Sequence, residues 1–331
     1  MFRKILVPLD GSALAEGVLP HVLTLAQSTG AEVILLQVLE QNNPPEQARP
    51  VDPLSWRFRQ MEAKTYLEGI QQRLQEAQSG TPIETVLLEG QTAERIIELA
   101  HEHGFDLIAL SSHGRSGLSG WNVSGVVQKI ILRAHTSIFL ARAYQAQPLG
   151  LTGLRYQHIF MPLDGSQRAE NVLPLLASLA QDQQAEILLV HVVAQPEMPR
   201  RVPFTPEERE LSQRLVELNR EEVNRYFDQL KSRLPGNIQS RVVVSDNVIT
   251  TLHSLAEDEL ADLVVVSAHG YSATRRYPYG SVSISFIAYG ATPLLIIQDL
   301  PQQEIAPNPA EVAAHQLGLG GRMLAYDKPS V

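Results

Sequence analysis

The sequence predicts an α/β protein that consists of two tandem domains, each a parallel β-sheet covered by helices. One observation is that short apolar runs alternate with longer segments of helical periodicity, which is the pattern of βαβ units. The other is that one ordered series of motifs occurs twice in the chain of 331 residues. This length suits two domains of roughly 100–200 residues each.

The duplication is visible in pairs of motifs that keep their order along the chain. VPLDGS at residues 7–12 returns as MPLDGS at residues 161–166, a spacing of 154 (162 − 8). AEGVLPHVLTLAQ and AEVILLQVL return at this spacing as AENVLPLLASLAQ and AEILLVHVV. DLIALSSHG returns as DLVVVSAHG at a spacing of 156 (270 − 114). Such a series indicates two homologous units, and we expect domains at residues 1–145 and 156–299 and a C-terminal tail at 300–331.

Each half contains five short runs rich in leucine and β-branched residues, which predict buried parallel strands. In chain order, the predicted strands are residues 5–9, 33–38, 83–88, 107–111 and 138–141, and then 159–163, 187–193, 241–245, 263–267 and 294–298. Because helices alternate with these strands, we expect right-handed crossovers and a sheet that is covered on both faces.

A long amphipathic helix is predicted after the second strand of each half. Its apolar residues recur at helical spacing; they are Tyr66, Leu67, Ile70, Leu74 and Ala77 in the first half, and Leu211, Leu215, Leu218, Phe227, Leu230 and Leu234 in the second. The second of these helices should begin at a capping box, with Thr205 as the N-cap, Pro206 at the first helical position and Glu208 closing the box.

The composition excludes several classes of function. The net charge is −9, whereas a general binder of nucleic acids or anionic membranes needs a basic face. The chain has no cysteine, which excludes disulfides, thiol catalysis and thiolate metal sites. No run approaches the roughly 20 apolar residues of a membrane helix, and the first residues do not resemble a signal peptide. We expect a cytoplasmic protein without nucleic-acid or membrane partners.

Proline-rich segments follow the second strand of each half, at residues 41–53 and 195–206. They belong at the carboxyl edge of the sheet, where they are either lids over a ligand or solvated surface loops. The residues from 301 onward have no counterpart in the first half, and we expect them to be partly disordered or docked as an arm.

Polar motifs follow the strands at the edge where open parallel sheets bind their ligands. Asp10 and Asp164 come directly after the first strand of their halves, and each is followed by Gly-Ser. Such an aspartate either accepts hydrogen bonds from ribose hydroxyls or caps the helix that follows.

A second motif follows the fourth strand. It reads Ser-Ser-His-Gly from Ser111 to Gly114, and Ser-Ala-His-Gly from Ser267 to Gly270. A glycine at this point lets backbone amide groups come close to a ligand. The histidine, His269 in the second half, either contacts the ligand or tethers the loop.

A third motif opens the last helix of the second half at Gly280 and Ser281, after nine residues that follow Gly270. The free N–H groups of a helix N-terminus bind phosphate, and the Ser281 hydroxyl adds a donor. Arg275 and Arg276, in the loop before this helix, either add positive charge near the phosphates or are merely exposed.

Together these motifs resemble the universal stress protein family over about residues 1–142 and 156–299. Nucleotide-binding members of that family carry a glycine, two residues, a glycine, nine residues and then Gly-Ser or Gly-Thr. The resemblance implies two Rossmann-like domains, each with a five-stranded parallel sheet in the order 3-2-1-4-5. It also implies ATP, with or without Mg²⁺, or another adenine nucleotide as the ligand.

Transferred position by position, the resemblance implies a set of ligand contacts in each half. In the second half, Asp164 would hold the ribose, Pro162 and Val192 would lie near adenine, and Gly270, Gly280 and Ser281 would meet the phosphates. In the first half, the corresponding residues are Asp10, then Pro8 and Val38, then Gly114, Ser124 and Gly125.

The two halves depart from the family motif to different degrees. Both replace the first glycine by a small residue, Ser111 or Ser267. The second half keeps the Gly-Ser pair, whereas the first half has the reverse order at Ser124 and Gly125, which puts a Cβ where the backbone should approach phosphate. We therefore predict that the second half binds nucleotide and that the first half binds it weakly or not at all.

Three functions stay open at this level. The favoured one is an adenine-nucleotide-binding regulator of a stress response, without catalytic residues. The others are a slow Mg²⁺-dependent ATPase, in which Asp164 helps to place the metal, and a scaffold that binds no nucleotide. The apolar fifth strands, in the stretches SIFLAR and PLLIIQ, need cover at a sheet edge. Since the family often dimerises through this strand, we expect the halves to form an intramolecular pseudo-dimer, which can pair further into a homodimer.

Overall fold

The computed structural model describes residues 1–40, 52–118, 120, 122–144, 150–151, 154–196, 205–271 and 278–300. The elements of the first half are β1 (Lys4–Pro8), α1 (Ala13–Glu16), α2 (Leu19–Thr29), β2 (Glu32–Leu39), α3 (Pro53–Ala77), β3 (Ile83–Glu89), α4 (Thr92–Glu102), β4 (Leu107–Ser111), α5 (Gly125–Ala134) and β5 (Ser137–Ala141). Those of the second half are β6 (His158–Pro162), α6 (Gln167–Glu170), α7 (Leu173–Gln183), β7 (Glu186–Val193), α8 (Pro206–Arg233), β8 (Asn237–Val244), α9 (Val248–Asp258), β9 (Leu263–Ser267), α10 (Ser281–Tyr289) and β10 (Leu294–Ile297).

The strands form one sheet in the order β3-β2-β1-β4-β5-β10-β9-β6-β7-β8. Within each half all strands are parallel and follow the predicted order 3-2-1-4-5. The halves meet where β5 and β10 pair antiparallel, with Phe139 opposite Leu295. The predicted α/β fold with two parallel sheets is therefore confirmed, and the two sheets are continuous through their fifth strands.

Helices cover both faces of the sheet, because nearly all side chains of the central strands are apolar. One core layer lies under α2, α3, α7 and α8 and includes Leu35, Phe139 and Leu189. The other lies under α4, α5, α9 and α10 and includes Leu110 and Val266. Each layer runs across both halves, since β5 and β10 contribute side chains to both faces.

Two sequence predictions need correction. The strand predicted at residues 241–245 is β8, which begins four residues earlier at Asn237. It is a half-exposed edge strand, so polar residues alternate along it and no continuous apolar run marks its start. On α8, Leu211, Leu215 and Leu218 have the predicted helical spacing, but they are 61%, 43% and 53% exposed.

The buried side chains of α8 are confined to its C-terminal half, at Phe227 and Leu230. The predicted start of α8 is confirmed, because the Thr205 side chain accepts a hydrogen bond from the Glu208 backbone and the Glu208 side chain accepts one from the Thr205 backbone.

Several predicted features fall outside the described residues. They include most of the two proline-rich segments, Arg275 and Arg276, and the tail from residue 301. Of the helices that are described, none combines the length and the apolar character that crossing a membrane requires.

Candidate functional site

The predicted site residues gather at the carboxyl ends of the strands, at the point in each half where the strand order reverses. In the first half this point lies between β1 and β4, and in the second between β6 and β9. Crevices at such switch points are where open α/β sheets bind ligands.

The aspartate after the first strand joins two loops in each half. Asp164 accepts hydrogen bonds through Oδ1 from the Ser166 backbone and hydroxyl, at 3.0 and 2.6 Å, and through Oδ2 from the Tyr271 backbone at 2.5 Å. Asp10 makes the same three contacts with Ser12 and the Arg115 backbone. The carboxylate thus clamps the loop after the first strand to the loop after the fourth.

The glycine that precedes the last of these amides is required by the clamp. A Cβ on Gly270 would lie 2.2 Å from Asp164 Oδ2, and one on Gly114 would lie 2.0 Å from Asp10 Oδ2. Any side chain at either position would displace the carboxylate. The loop glycines Gly11 and Gly165 have φ values of +80° and +79°, a region in which glycine is favoured.

The histidines of the second motif are buried against other side chains, while a ligand contact of His269 stays a prediction. The exposed fraction is 2% for His113 and 1% for His269. His269 Nδ1 is 2.6 Å from Asp299 Oδ1, whose carboxylate also lies 3.7 Å from Arg168 Nε. In the first half, His113 Nδ1 is 3.1 Å from the Ser112 hydroxyl. Sequence reasoning missed Asp299 because its counterpart is Ala143, so the repeat did not point to it.

The last helix of each half begins at equivalent backbone positions. The Gly280 amide donates to the Ala268 carbonyl at 2.7 Å, and the Ser124 amide donates to the Ser112 carbonyl at 2.8 Å. Ser124 caps α5, because its hydroxyl accepts a hydrogen bond from the Val127 backbone at 3.4 Å. Gly280 has no side chain, and among the described residues no side chain caps the start of α10.

A side chain at Gly280 would meet no steric obstacle among the residues that the structure describes. Its Cβ would lie 3.6 Å from the Ala268 carbonyl oxygen and 3.8 Å from the Gly270 nitrogen, which are ordinary van der Waals distances. The φ of Gly280 is −74°, which any residue can adopt. Packing and backbone conformation therefore do not require glycine at this position, in contrast to Gly270.

The other predicted residues surround these contacts. Ser281 and Gly125 are exposed at the first positions of α10 and α5, and the proline and valine positions at the strand ends are half-buried: Pro8, Val38, Pro162 and Val192. The hydroxyls of Ser111 and Ser267 are buried and have no hydrogen-bond partner among the described residues.

The residue before the predicted adenine contact differs between the halves. It is His191 in β7, whose Nδ1 is 2.8 Å from the Leu163 carbonyl oxygen. Burial lowers the pKa of His191, while the contact with Leu163 and the charge of Asp164 partly oppose that change. The first half has Gln37 here, with a buried Oε1 that finds no partner in the described part of the chain.

Two surface grooves are found on the first half. One of about 630 Å³ runs along α3 beside Glu16, Phe58 and Arg73, and one of about 540 Å³ lies near Glu40, Thr92 and Lys129. Neither is lined by any of the predicted site residues. Within the described ranges, no group of three or more His, Cys, Asp or Glu residues could hold a metal ion.

Comparison with known proteins gives the same two units. The family model for the universal stress protein family matches residues 1–142 and 155–298. Universal stress protein MJ0531 of Methanocaldococcus jannaschii is 27% identical over 146 residues, which cover 43% of this chain and 83% of that protein. Universal stress protein MJ0577 of the same organism is 25% identical over 157 residues, which cover 43% of this chain and 96% of that protein.

Solved structures resemble the whole chain. A universal stress protein from Archaeoglobus fulgidus has a TM-score of 0.59 and 15% identity, and the match covers 90% of this chain and 98% of that one. The functionally unknown protein PA1789 from Pseudomonas aeruginosa has a TM-score of 0.62 and 15% identity, with coverage of 95% and 98%. At this identity the likeness concerns the fold alone. Because the two family matches together span most of the sequence, the chain belongs to the universal stress protein family.

Proposed function

We propose that the protein is an adenine-nucleotide-binding regulator, with ATP bound at the switch point of its second half. Main-chain amides at the start of α10 and at Gly270 hold the phosphates, and Asp164 holds the ribose. The observation that carries this proposal is Gly280. Neither packing against the described residues nor backbone conformation requires its lack of a side chain, and a Cβ here would lie 3.8 Å from the Gly270 nitrogen.

The start of α10 suits a polyanion for two reasons. The first amide groups of a helix have no partner within the helix, and at α10 no described side chain caps them. The helix dipole also places partial positive charge at this end. The Ser281 hydroxyl is exposed at the first helical position and adds a donor.

Asp164 retains capacity for a ribose hydroxyl. An ionised carboxylate offers about four acceptor sites, and three described donors contact Asp164. The side chain is exposed, so a ligand hydroxyl can reach it. Pro162 and Val192, both half-buried at neighbouring strand ends, provide apolar surface for the base in this proposal. Any Mg²⁺ would enter with the phosphates of the nucleotide.

The halves are unequal in this proposal, because in the first half a side chain of the protein takes the place that a phosphate would occupy. Ser124 places a side chain at the position of Gly280, and its hydroxyl occupies an amide of the first turn of α5. Arg115 adds to the difference, since its Nη2 would lie 3.0 Å from a Cβ on Gly11 and therefore stands over the first-half loop. Tyr271, at the equivalent place in the second half, is 86% exposed.

The assembly that accompanies this proposal is an intramolecular pseudo-dimer of two domains, residues 1–145 and 156–299, in the cytoplasm. The antiparallel pairing of β5 with β10 supports it, because this pairing covers the fifth-strand edge of both sheets. Further pairing into a homodimer belongs to the proposal as well and would use another surface.

Calorimetric titration of the full chain with ATP tests the proposal. We expect one tight site in the wild type, and at least about tenfold weaker binding in Gly280→Ala, since a methyl group would displace one charge-assisted amide–phosphate contact. The matched variant Ser124→Ala, at the same place in the first half, should bind like the wild type. The proposal fails if the wild type does not bind ATP, or if Gly280→Ala binds it equally well. Steady release of phosphate above background would show an ATPase instead.

A further inference from the structure

Arg142 is a buried cation of the first half that donates hydrogen bonds to carbonyls at the end of α10 and just beyond it. It follows β5 and is 2% exposed. Its guanidinium donates to the Phe286, Ile287 and Thr292 carbonyls at 2.6, 3.3 and 3.1 Å. Burial lowers the pKa of Arg142 to about 10, so the side chain stays charged at neutral pH.

Two other residues of the first half contact the same helix end. Asn122 Nδ2 donates to the Ile287 and Gly290 carbonyls at 3.3 and 2.9 Å, and the Tyr144 hydroxyl donates to the Gly290 carbonyl at 3.1 Å. Gly290 permits this approach, since a Cβ there would lie 2.6 Å from the Phe286 carbonyl oxygen and 3.2 Å from Arg142 Nη2.

The contacts satisfy a physical need of α10. The last carbonyls of a helix carry the negative end of the helix dipole and mostly lack an intrahelical partner, so a cation with several donors suits them. Of the carbonyls that Arg142 contacts, that of Phe286 also accepts the Gly290 amide at 3.0 Å. The helix has nine residues, which is about 13.5 Å at 1.5 Å per residue. A helix this short moves as one rod, and fixing its C-terminus also fixes the direction and position of its N-terminus.

Among the described residues, no side chain of the second half makes the equivalent contacts with the end of α5, the first-half counterpart of α10. Gln298 is the counterpart of Arg142 at the repeat spacing of 156. Its backbone donates to the Ser137 hydroxyl, and its side-chain Nε2 is buried without a described partner. The end of α5 is held within its own half, where His101 Nε2 is 2.7 Å from the Ala134 carbonyl oxygen.

We propose that Arg142 is a positioning residue through which the first half holds the start of α10, the proposed phosphate-binding end of that helix in the second half. This inference rests on the proposed function for its ligand, and on the contacts at the end of α10 for its mechanism. In this proposal the first half has a role even if it binds no nucleotide, because it sets the position and direction of α10. A ligand bound at the start of α10 would in turn stiffen the contact between Arg142 and the end of that helix.

The test compares full-length Arg142→Met with the wild type by titration with ATP and with adenosine. We expect ATP affinity to fall by about tenfold, as for one lost charge-assisted contact to phosphate, and adenosine affinity to stay unchanged, because adenosine has no phosphate. Arg142→Lys should recover part of the ATP affinity, since it keeps the cation but not the three-way contact. Tyr156→Phe is the control: it removes a 2.8 Å contact with His21 between the halves and leaves α10 untouched.

Hydrogen exchange without nucleotide supplies a readout that does not depend on the proposed function. The Gly280 and Ile284 amides are hydrogen-bonded where α10 begins, and both should exchange faster in Arg142→Met than in Tyr156→Phe. Unchanged exchange at these amides overturns the inference, whether or not the wild type binds ATP. Equal losses of ATP and adenosine affinity also overturn it, because they would indicate general loosening. If the wild type binds no ATP but exchange accelerates, the proposed function fails and the positioning role stands.

Discussion

Gly114→Ala should destabilise the first half by forcing Asp10 out of its clamp. The added Cβ would lie 2.0 Å from Asp10 Oδ2 and 3.0 Å from Asp10 Cγ, far inside van der Waals contact. The carboxylate cannot retreat freely, because it accepts hydrogen bonds from the Ser12 backbone, the Ser12 hydroxyl and the Arg115 backbone at 3.0, 2.6 and 2.5 Å. The least costly relief is to give up the contact of Oδ2 with Arg115.

The expected loss follows from those contacts. A hydrogen bond to a charged group contributes about 1.5–3 kcal/mol, and overpacking by one methyl group costs roughly 1–3 kcal/mol. The two figures describe one displacement and are not summed. Because the Asp10 clamp is only half-buried, we expect a value toward the lower end, about 2 kcal/mol.

Urea unfolding followed by tryptophan fluorescence measures this loss. Both tryptophans, Trp56 and Trp121, belong to the first half, so the signal reports on that half. Gly114→Ala, Asp10→Ala and the double variant form a double-mutant cycle. Gly125→Ala is the control, since among the described residues nothing outside its own stretch of helix lies within 4 Å of its added Cβ.

The cycle should be strongly non-additive. Once Asp10 has been shortened to alanine, the methyl group at position 114 has no carboxylate to meet, so Gly114→Ala should cost less than about 0.5 kcal/mol in that background. Additive losses, or a Gly114→Ala variant as stable as Gly125→Ala, would refute the explanation of this glycine by the Asp10 clamp.

Two further predictions concern other parts of the fold. Burial lowers the pKa of His21 to about 4 from 6.5. As the pH falls from 6.5 to 4, His21 therefore becomes protonated in the unfolded chain but stays neutral in the native state. The stability contributed by neutral His21 is complete above pH 6.5 and falls by about 3 kcal/mol across this window. His21→Leu introduces the residue type of the equivalent Leu175, and the urea concentration at half-unfolding should then depend less on pH. An unchanged pH dependence would show that His21 does not cause this loss of stability. Thr205→Ala should remove the capping box of α8, lower local stability by about 1 kcal/mol and speed amide exchange over residues 207–210 while leaving β7 and β8 unchanged. Equal exchange in both proteins would show that the box does not stabilise this end of the helix.

The sequence alone determined the elements and their order. A duplicated alternation of apolar runs and helical segments predicts two parallel α/β sheets, because periodicity and burial are local properties of the chain. The strand bounds agree within a residue or so for most strands, and the capping box of α8 follows directly from Thr205, Pro206 and Glu208. Where burial weakens, local pattern fails: the start of β8 at Asn237 was missed.

The candidate site was only partly readable from the sequence. Motif spacing identified Asp164, Gly270 and Gly280, but it could not separate their roles. The structure does separate them: Gly270 is required by the Asp164 clamp, while no contact among the described residues requires glycine at position 280. The burial of His269 against Asp299 also needed coordinates, because these residues are 30 positions apart.

Only the tertiary structure decided which residues of one half contact the other. Nothing local to Arg142 indicates that its guanidinium reaches the carbonyls of Phe286 and Ile287, more than 140 positions away along the chain. That contact exists because β5 and β10 pair antiparallel and bring the end of one half against the last helix of the other. Local sequence specifies which face of an element is apolar, whereas the meeting of two edges depends on the shape and charge of the completed domains.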